Sequence, residues 1–179
     1  MGGSLRKASL NRRLLGHIAR LLEGRGHGVI PVEGEALRMP LFDADLEVPA
    51  SAHSLQDSLA WAEGLIIVSP EYNGGIPPHL KNAVDWVSTM KPTPWPNLPV
   101  LLCSASPGAL GGARAALSWR ATLASLGAIA LPNAVTIPHA DKNLAEDGTP
   151  TDPRSQAALQ KALDAFLELA GKLGIHTHS

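Results

Sequence analysis

Leu65-Ile66-Ile67-Val68 is an uninterrupted apolar run in which no polar residue alternates with the apolar ones. A strand with one wet face would alternate. One that reads apolar at every position is covered on both sides, as in a parallel sheet whose crossovers lay helices over it. A second such run, Val100-Leu101-Leu102-Cys103, follows the proline-rich stretch 91–99. Helical spacing fills the intervals. Leu10, Leu14, Ile18 and Leu21 mark a helix from Ser9 to about Glu23, stopped by Gly24 and Gly26. Leu80, Val84 and Val87 mark another, and Leu159, Leu163, Phe166, Ala170 and Leu173 a third. Further helices are expected from Ser54 to Ala62 and from Ala113 to Leu126. Strand-like material lies at 28–32, 128–131 and 134–137, and 39–46 reads as loop. The order is loop–α–β–α–β–α–β–α–β–α, an α/β chain around a parallel sheet.

With 179 residues the chain has the size of one domain, spanning 1–179. Hydrophobic residues at 45% against 17% charged ones make it globular rather than disordered. A formal net charge of −1 gives no basis for nucleic acid or an anionic membrane as partner. No apolar run reaches the roughly 18 residues of a membrane span, and the basic N-terminus lacks the apolar stretch of a signal peptide. The one cysteine, Cys103, excludes an internal disulfide framework and a cysteine zinc site, and is expected to be a buried core residue. A cytoplasmic location fits. His17, His27 and His53 lack metal-ligand spacing, and His176 and His178 sit in a tail too short to argue for a metal site.

One element is missing from this pattern. A doubly wound sheet should open with a strand leading into the first loop, yet the chain begins Met1-Gly2-Gly3-Ser4. In such a sheet the opening strand is central, so its loss would leave the neighbouring strands without hydrogen-bond partners. Either the true start lies upstream, or Met1 to Gly3 is all that is present, in which case reduced stability is expected.

Ligands of open parallel sheets sit beyond the carboxyl ends of the strands, where strand order reverses. Three loops with unusual chemistry each lead into a helix. Gly3-Ser4-Leu5-Arg6-Lys7-Ala8-Ser9-Leu10-Asn11 combines glycines, hydroxyls and a cation ahead of a helix N-terminus. That is either a phosphate cradle or an N-capped helix with a solvated Arg6. In Ser69-Pro70-Glu71-Tyr72-Asn73-Gly74-Gly75-Ile76-Pro77-Pro78, Asn73-Gly74 is a strong turn signal and Tyr72 is the only tyrosine of the chain. The turn either presents backbone donors and acceptors to a flat heteroaromatic edge, or joins strand to helix with Tyr72 packed at a surface. Ser104-Ala105-Ser106-Pro107-Gly108-Ala109-Leu110-Gly111-Gly112 leaves room for a ligand or for close helix–sheet packing.

The first loop, together with Pro70-Glu71-Tyr72-Asn73-Gly74-Gly75-Ile76-Pro77-Pro78-His79-Leu80-Lys81-Asn82-Ala83-Val84-Asp85-Trp86, resembles the NADPH-dependent FMN reductase family, which includes quinone, azo and chromate reductases. The similarity continues through Gly111-Gly112-Ala113-Arg114 and Pro138-His139-Ala140-Asp141-Lys142. The resemblance implies a flavodoxin-like three-layer sandwich, its first strand truncated here, that binds FMN non-covalently. It implies that Ser4, Arg6, Ser9 and Asn11 hold the FMN phosphate, that Pro70, Glu71, Tyr72, Asn73 and Gly74 form the isoalloxazine turn, and that Ser106 and Gly108 complete the pocket. It further implies NAD(P)H as co-substrate, flavin, quinone or similar small-molecule electron acceptors, a ping-pong cycle through the flavin, and a homodimer or homotetramer.

No side-chain nucleophile or triad is evident, and the cofactor would carry the chemistry. His79, at a helix start, is expected to be structural or interfacial rather than a general acid. Arg114 and Arg120 could contact a nucleotide phosphate or a neighbouring subunit, or be salt-bridged or solvated, while Trp61, Trp86, Trp95 and Trp119 are assigned to packing. Two other classes fit the same loops: an FMN electron carrier that does not turn over NAD(P)H, and a truncated non-catalytic protein. Carriers of that kind are strongly acidic, which a net charge of −1 does not match.

Overall fold

The computed structural model describes residues 1–6 and 8–174. In chain order its elements are α1 (Leu10–Glu23), a 3-10 turn (Gly34–Leu37), α2 (Ala50–Trp61), β1 (Leu65–Val68), α3 (Pro78–Thr89), β2 (Pro99–Ala105), α4 (Ala113–Ser125), β3 (Ile129–Ala130), β4 (Val135–Ile137), α5 (Ala140–Asn143) and α6 (Pro153–Leu173). All strand pairs are parallel. β1 lies against β2 from Leu65 opposite Val100 to Val68 opposite Cys103. β3 pairs with the start of β2 and β4 with its end, so the two behave as one strand interrupted at 131–134, where Pro132 has no N–H to give.

Both faces of the sheet are covered, which is why β1 and β2 are buried at every residue. Ile66, Val68, Leu101 and Cys103 pack with Leu14 and Ile18 of α1 and Leu163 of α6. On the other face Leu65, Ile67, Val100 and Leu102 pack with α2, α3 and α4, including the fully buried Trp86 and Trp119. The helices start where local chemistry sets them. Ser9 caps α1 by accepting from Arg12 N–H, and Asp152 caps α6 by accepting from Arg154 and Ser155 N–H. α2 begins at Ala50, ahead of the expected Ser54, because Pro49 occupies the N-cap, where a missing N–H costs nothing. The single turn α5 is too short to leave a periodic signal.

The opening segment of the chain pairs on both sides. Met1–Gly3 lie between β1 and the extended segment 28–33, with Gly2 bridged in parallel to both Val68 and Glu33. Gly3 N–H donates to Val68 carbonyl (2.9 Å), Val68 N–H to Met1 carbonyl (2.9 Å), and Gly2 N–H to Val32 carbonyl (2.8 Å). A side chain at Gly2 would meet Leu15 at 2.6 Å, and one at Gly3 would run into Leu80, so these glycines serve close packing within the fold. The order across the sheet is therefore 28–33, Met1–Gly3, β1, β2, β3/β4. The chain leaves the centre in one direction first and then in the other, which puts the switch point between the loops after Gly3 and after Val68. Segment 28–32 is not a regular strand; its link to the ladder is Gly2 N–H on Val32 carbonyl.

Two side-chain clamps brace the carboxyl edge. Asn11, buried on α1, donates through Nδ2 to Ala105 carbonyl (2.8 Å) and accepts from Ala105 N–H through Oδ1 (2.9 Å), fixing the end of β2 to the first loop. Asn82 and Trp86 of α3 hold the 39–42 loop: Asn82 accepts from Phe42 N–H and Trp86 Nε1 donates to Pro40 carbonyl, with Phe42 edge-on to the indole at 5.1 Å.

Asn11→Ala removes both partners of a buried peptide group at once. At about 1–3 kcal/mol per unsatisfied group, it is expected to lower the unfolding free energy by about 2–4 kcal/mol in urea titrations.

Candidate functional site

The three loops lie together at the carboxyl edge, around the switch point. In the first, Ser4 and Ser9 are buried while Arg6 is exposed and forms no ion pair among the described residues. Ser4 Oγ accepts from Arg6 N–H and Ser9 Oγ from Arg12 N–H, each at 3.4 Å. Both hydroxyl protons remain available to an incoming oxyanion. The first-turn N–H groups of α1 point the same way, and the helix dipole favours negative charge there. Arg12 is turned away into a forked pair with Glu33 (3.1 and 2.9 Å), which joins α1 to the 28–33 segment. Asn11 faces inward, its amide engaged with Ala105.

The second loop is a two-residue hairpin. Tyr72 and Gly75 exchange both backbone hydrogen bonds, at 3.1 and 2.9 Å, around Asn73 (φ 50°) and Gly74 (φ 81°). Positive φ at both central residues defines a type I′ turn, for which Asn-Gly is the preferred pair. The N–H groups of Asn73 and Gly74 have no backbone acceptor among the described residues and face outward from the turn. Tyr72 stands 41% exposed beside them.

Glu71 fixes this hairpin to the third loop. Its side chain is only 10% exposed and accepts from Arg114 N–H (3.0 Å) and from the Arg114 guanidinium (2.7 Å from Nε, 2.6 Å from the terminal nitrogen). The α4 N-cap is Gly112, which has no side chain, so Glu71 does the capping from a neighbouring loop. In the third loop Ser106 Oγ accepts from Gly108 N–H (3.1 Å). Ser106 N–H donates to Ile137 carbonyl, and His139 N–H to Gly108 carbonyl, so the end of β4 supports this loop from below. Sequence reasoning named Glu71 and Arg114 separately but not as a pair. Their separation of 43 residues carries no local signal.

Arg120 donates to the carbonyls of Leu131 and Pro132, which closes the break between β3 and β4. His79 is half-buried and its Nε2 has no hydrogen-bond partner. Burial first and Arg38 second lower its pKa, which keeps it neutral at pH 7. Cys103 is buried and its thiol is pushed up to about 12 by desolvation, so it carries no nucleophilic thiolate. Among the described residues no three His, Cys, Asp or Glu side chains form a metal-binding group, and no helix is long and apolar enough to cross a membrane. The tail histidines His176 and His178 lie outside the described residues.

A sequence model of the NADPH-dependent FMN reductase family matches residues 1–142. A quinone reductase of Escherichia coli K12 is 37% identical over 135 residues, covering 72% of this chain and 70% of that protein. A 2-hydroxy-1,4-benzoquinone reductase of a Burkholderia species is 30% identical over 169 residues, covering 92% and 90%. Among solved structures, the NAD(P)H:acceptor flavoenzyme FerB of Paracoccus denitrificans superposes with a TM-score of 0.80 at 31% identity, covering 95% of this chain and 94% of that one. The architecture is thus flavodoxin-like. This chain belongs to the NADPH-dependent FMN reductase family and is an NAD(P)H-dependent flavin oxidoreductase.

Proposed function

We propose that the chain, acting as one FMN-binding unit over 1–179, reduces quinones and similar small acceptors by a ping-pong exchange across the three loops. One observation carries this reading. The outward N–H pair of the Tyr72–Gly75 turn, locked by Glu71–Arg114, shares one sheet edge with the hydroxyl-lined N-terminus of α1. A ring-edge donor pair and an anion cradle together suit a planar heterocycle that carries a phosphate.

In this reading Ser4, Arg6, Ser9 and the first turn of α1 hold the FMN phosphate. Asn11 acts mainly by position, with one Nδ2–H left over after the Ala105 clamp. Pro70, Glu71, Tyr72, Asn73 and Gly74 hold the isoalloxazine edge, and Ser106 and Gly108 close the pocket. When bound, FMN supplies the redox chemistry, accepting a hydride from NAD(P)H and returning electrons to the acceptor. The protein orients and tunes: donors fixed at Asn73 and Gly74 favour the electron-rich state of the ring edge without having to reorganise. A half-exposed Tyr72 beside an open face lets nicotinamide and acceptor occupy the same place in turn, so shape rather than a set of hydrogen bonds selects the acceptor. Leu110 and Leu117, 59% and 68% exposed near the same loops, support assembly of copies around the site as a homodimer or homotetramer. Dependence on NAD(P)H and a free thiol at Cys103 support a cytoplasmic setting.

Anaerobic addition of NADPH to the FMN-loaded protein should bleach the visible flavin band, and a benzoquinone should restore it. An unchanged spectrum would mean an electron carrier instead. Initial rates over varied NADPH and quinone should give parallel double-reciprocal lines; intersecting lines rule out ping-pong exchange. Arg6→Ala should weaken FMN several-fold and riboflavin hardly at all, since only FMN bears the phosphate. Gly74→Ala forces a left-handed conformation costing about 1–2 kcal/mol and should weaken both flavins roughly tenfold.

A further inference from the structure

Between β2 and α4, beneath the second and third loops, lies a small cavity of about 10 Å³ bordered by Ser69, Ser104, Gly112, Trp119 and Thr136. Strand register brings its hydroxyls together. Val68 lies opposite Cys103 and Thr136 opposite Ser104, so Ser69, Ser104 and Thr136 follow one another across neighbouring strands on one sheet face. That face carries Leu102 two residues earlier and is covered by α4 through Trp119. The glycines of the third loop serve this contact. A side chain at Gly112 would run into Ser104 Oγ, and one at Gly111 would press on the backbone of Ile137, so both bring the start of α4 down onto the sheet. Two polar atoms meet the cavity without a partner. Ser104 Oγ and Trp119 Nε1 belong to residues 4% and 1% exposed, and neither forms a hydrogen bond among the described residues. Buried groups of this kind are nearly always paired, either with protein or with ordered water.

We propose that this cavity is a binding site for one structural water molecule, which accepts from Trp119 Nε1–H and donates to Ser104 Oγ and so joins α4 to β2. Donor and acceptor types fit this direction, since an indole N–H only donates whereas a hydroxyl also accepts. Ser69 supplies a third group: its hydroxyl donates to Pro70 carbonyl (2.9 Å) and keeps its lone pairs for an incoming hydrogen. Size, polarity and charge each select water. A volume of about 10 Å³ is close to the lower limit for a single water and excludes any organic ligand. Apolar cavities stay dry, but here one orphan polar atom comes from the strand and another from the helix. The bordering side chains are all neutral, Cys103 included, because burial pushes its thiol up to about 12, so no group there would hold an ion. A bridging water of this kind ties two elements nearly as well as a direct hydrogen bond. The start of α4 is then held from the second loop by Glu71 and the body of the helix from the strand beneath it.

A crystal structure of the FMN-loaded protein at about 1.5 Å resolution should show one ordered water within about 3.2 Å of both Ser104 Oγ and Trp119 Nε1. A cavity without ordered density, or a direct bond between the two side chains, overturns the proposal. Stability gives a second readout, and its sign decides. With the water bound, Ser104→Ala removes one of its partners and should lower the urea midpoint at an unchanged m-value. In a dry cavity the same variant deletes an unpaired buried hydroxyl, so a raised or unchanged midpoint overturns the proposal as well. Both readouts should be the same with and without flavin, which keeps their outcome separate from that of the NADPH and quinone experiments.

Discussion

The backbone ladder through Met1–Gly3 is the constraint on which the rest of the molecule depends. These residues bond to Val32 on one side and to Met1's neighbours on β1, Ile66 and Val68, on the other. Without them segment 28–33 would have no hydrogen-bond link to the sheet. The close approach needs the two glycines, because α1 presses on one face through Leu15 and α3 on the other through Leu80. The same contact launches the first loop from the sheet centre, beside the loop that leaves β1. The switch point thus follows from three residues that pair on both sides at the centre of the sheet.

A ligand site at a sheet edge also needs loops that do not move apart. Here the ties run between loops rather than within them. Asn11 joins the first loop to the end of β2, and Glu71 joins the second loop to α4 beyond the third. The Glu71–Arg114 contact gains from being more than an ion pair. Arg114 is 64% exposed, and a solvated pair alone contributes little. The carboxylate also satisfies a helix N-terminus that Gly112 cannot cap, and it is nearly buried. This fixes the residue before the Tyr72–Gly75 turn against the start of α4.

What could be read from sequence and what could not divides along physical lines. Apolar runs and helical stripes identified β1, β2, α1, α3 and α6, because burial on both faces or along one stripe writes itself into residue type at short range. Ser9 as a cap and Asn73-Gly74 as a turn were legible for the same reason: their chemistry is local. The long-range ties were not. Asn11 to Ala105 spans 94 residues, and nothing about an asparagine in a first helical turn distinguishes a clamp from a phosphate ligand. Gly3 read as part of a loop that a ligand approaches closely, whereas a side chain there would run into Leu80, and one at Gly2 into Leu15. That Met1–Gly3 pair on both sides was not legible either, since three residues, two of them glycine, carry no strand pattern.

The two ends of the sheet therefore answer to different demands. At the carboxyl end Asn11 pairs the last peptide of β2 and Glu71 ties the second loop to α4, which gives rigidity there. At the amino end, segment 28–32 and Gly64–Ile66 flank a cavity walled by apolar side chains, among them Ile18, Leu22, Leu59 and Phe166. Polar backbone groups are costly to leave unpaired in so apolar a setting, so that end of the sheet depends on apolar packing where the other depends on polar ties between loops.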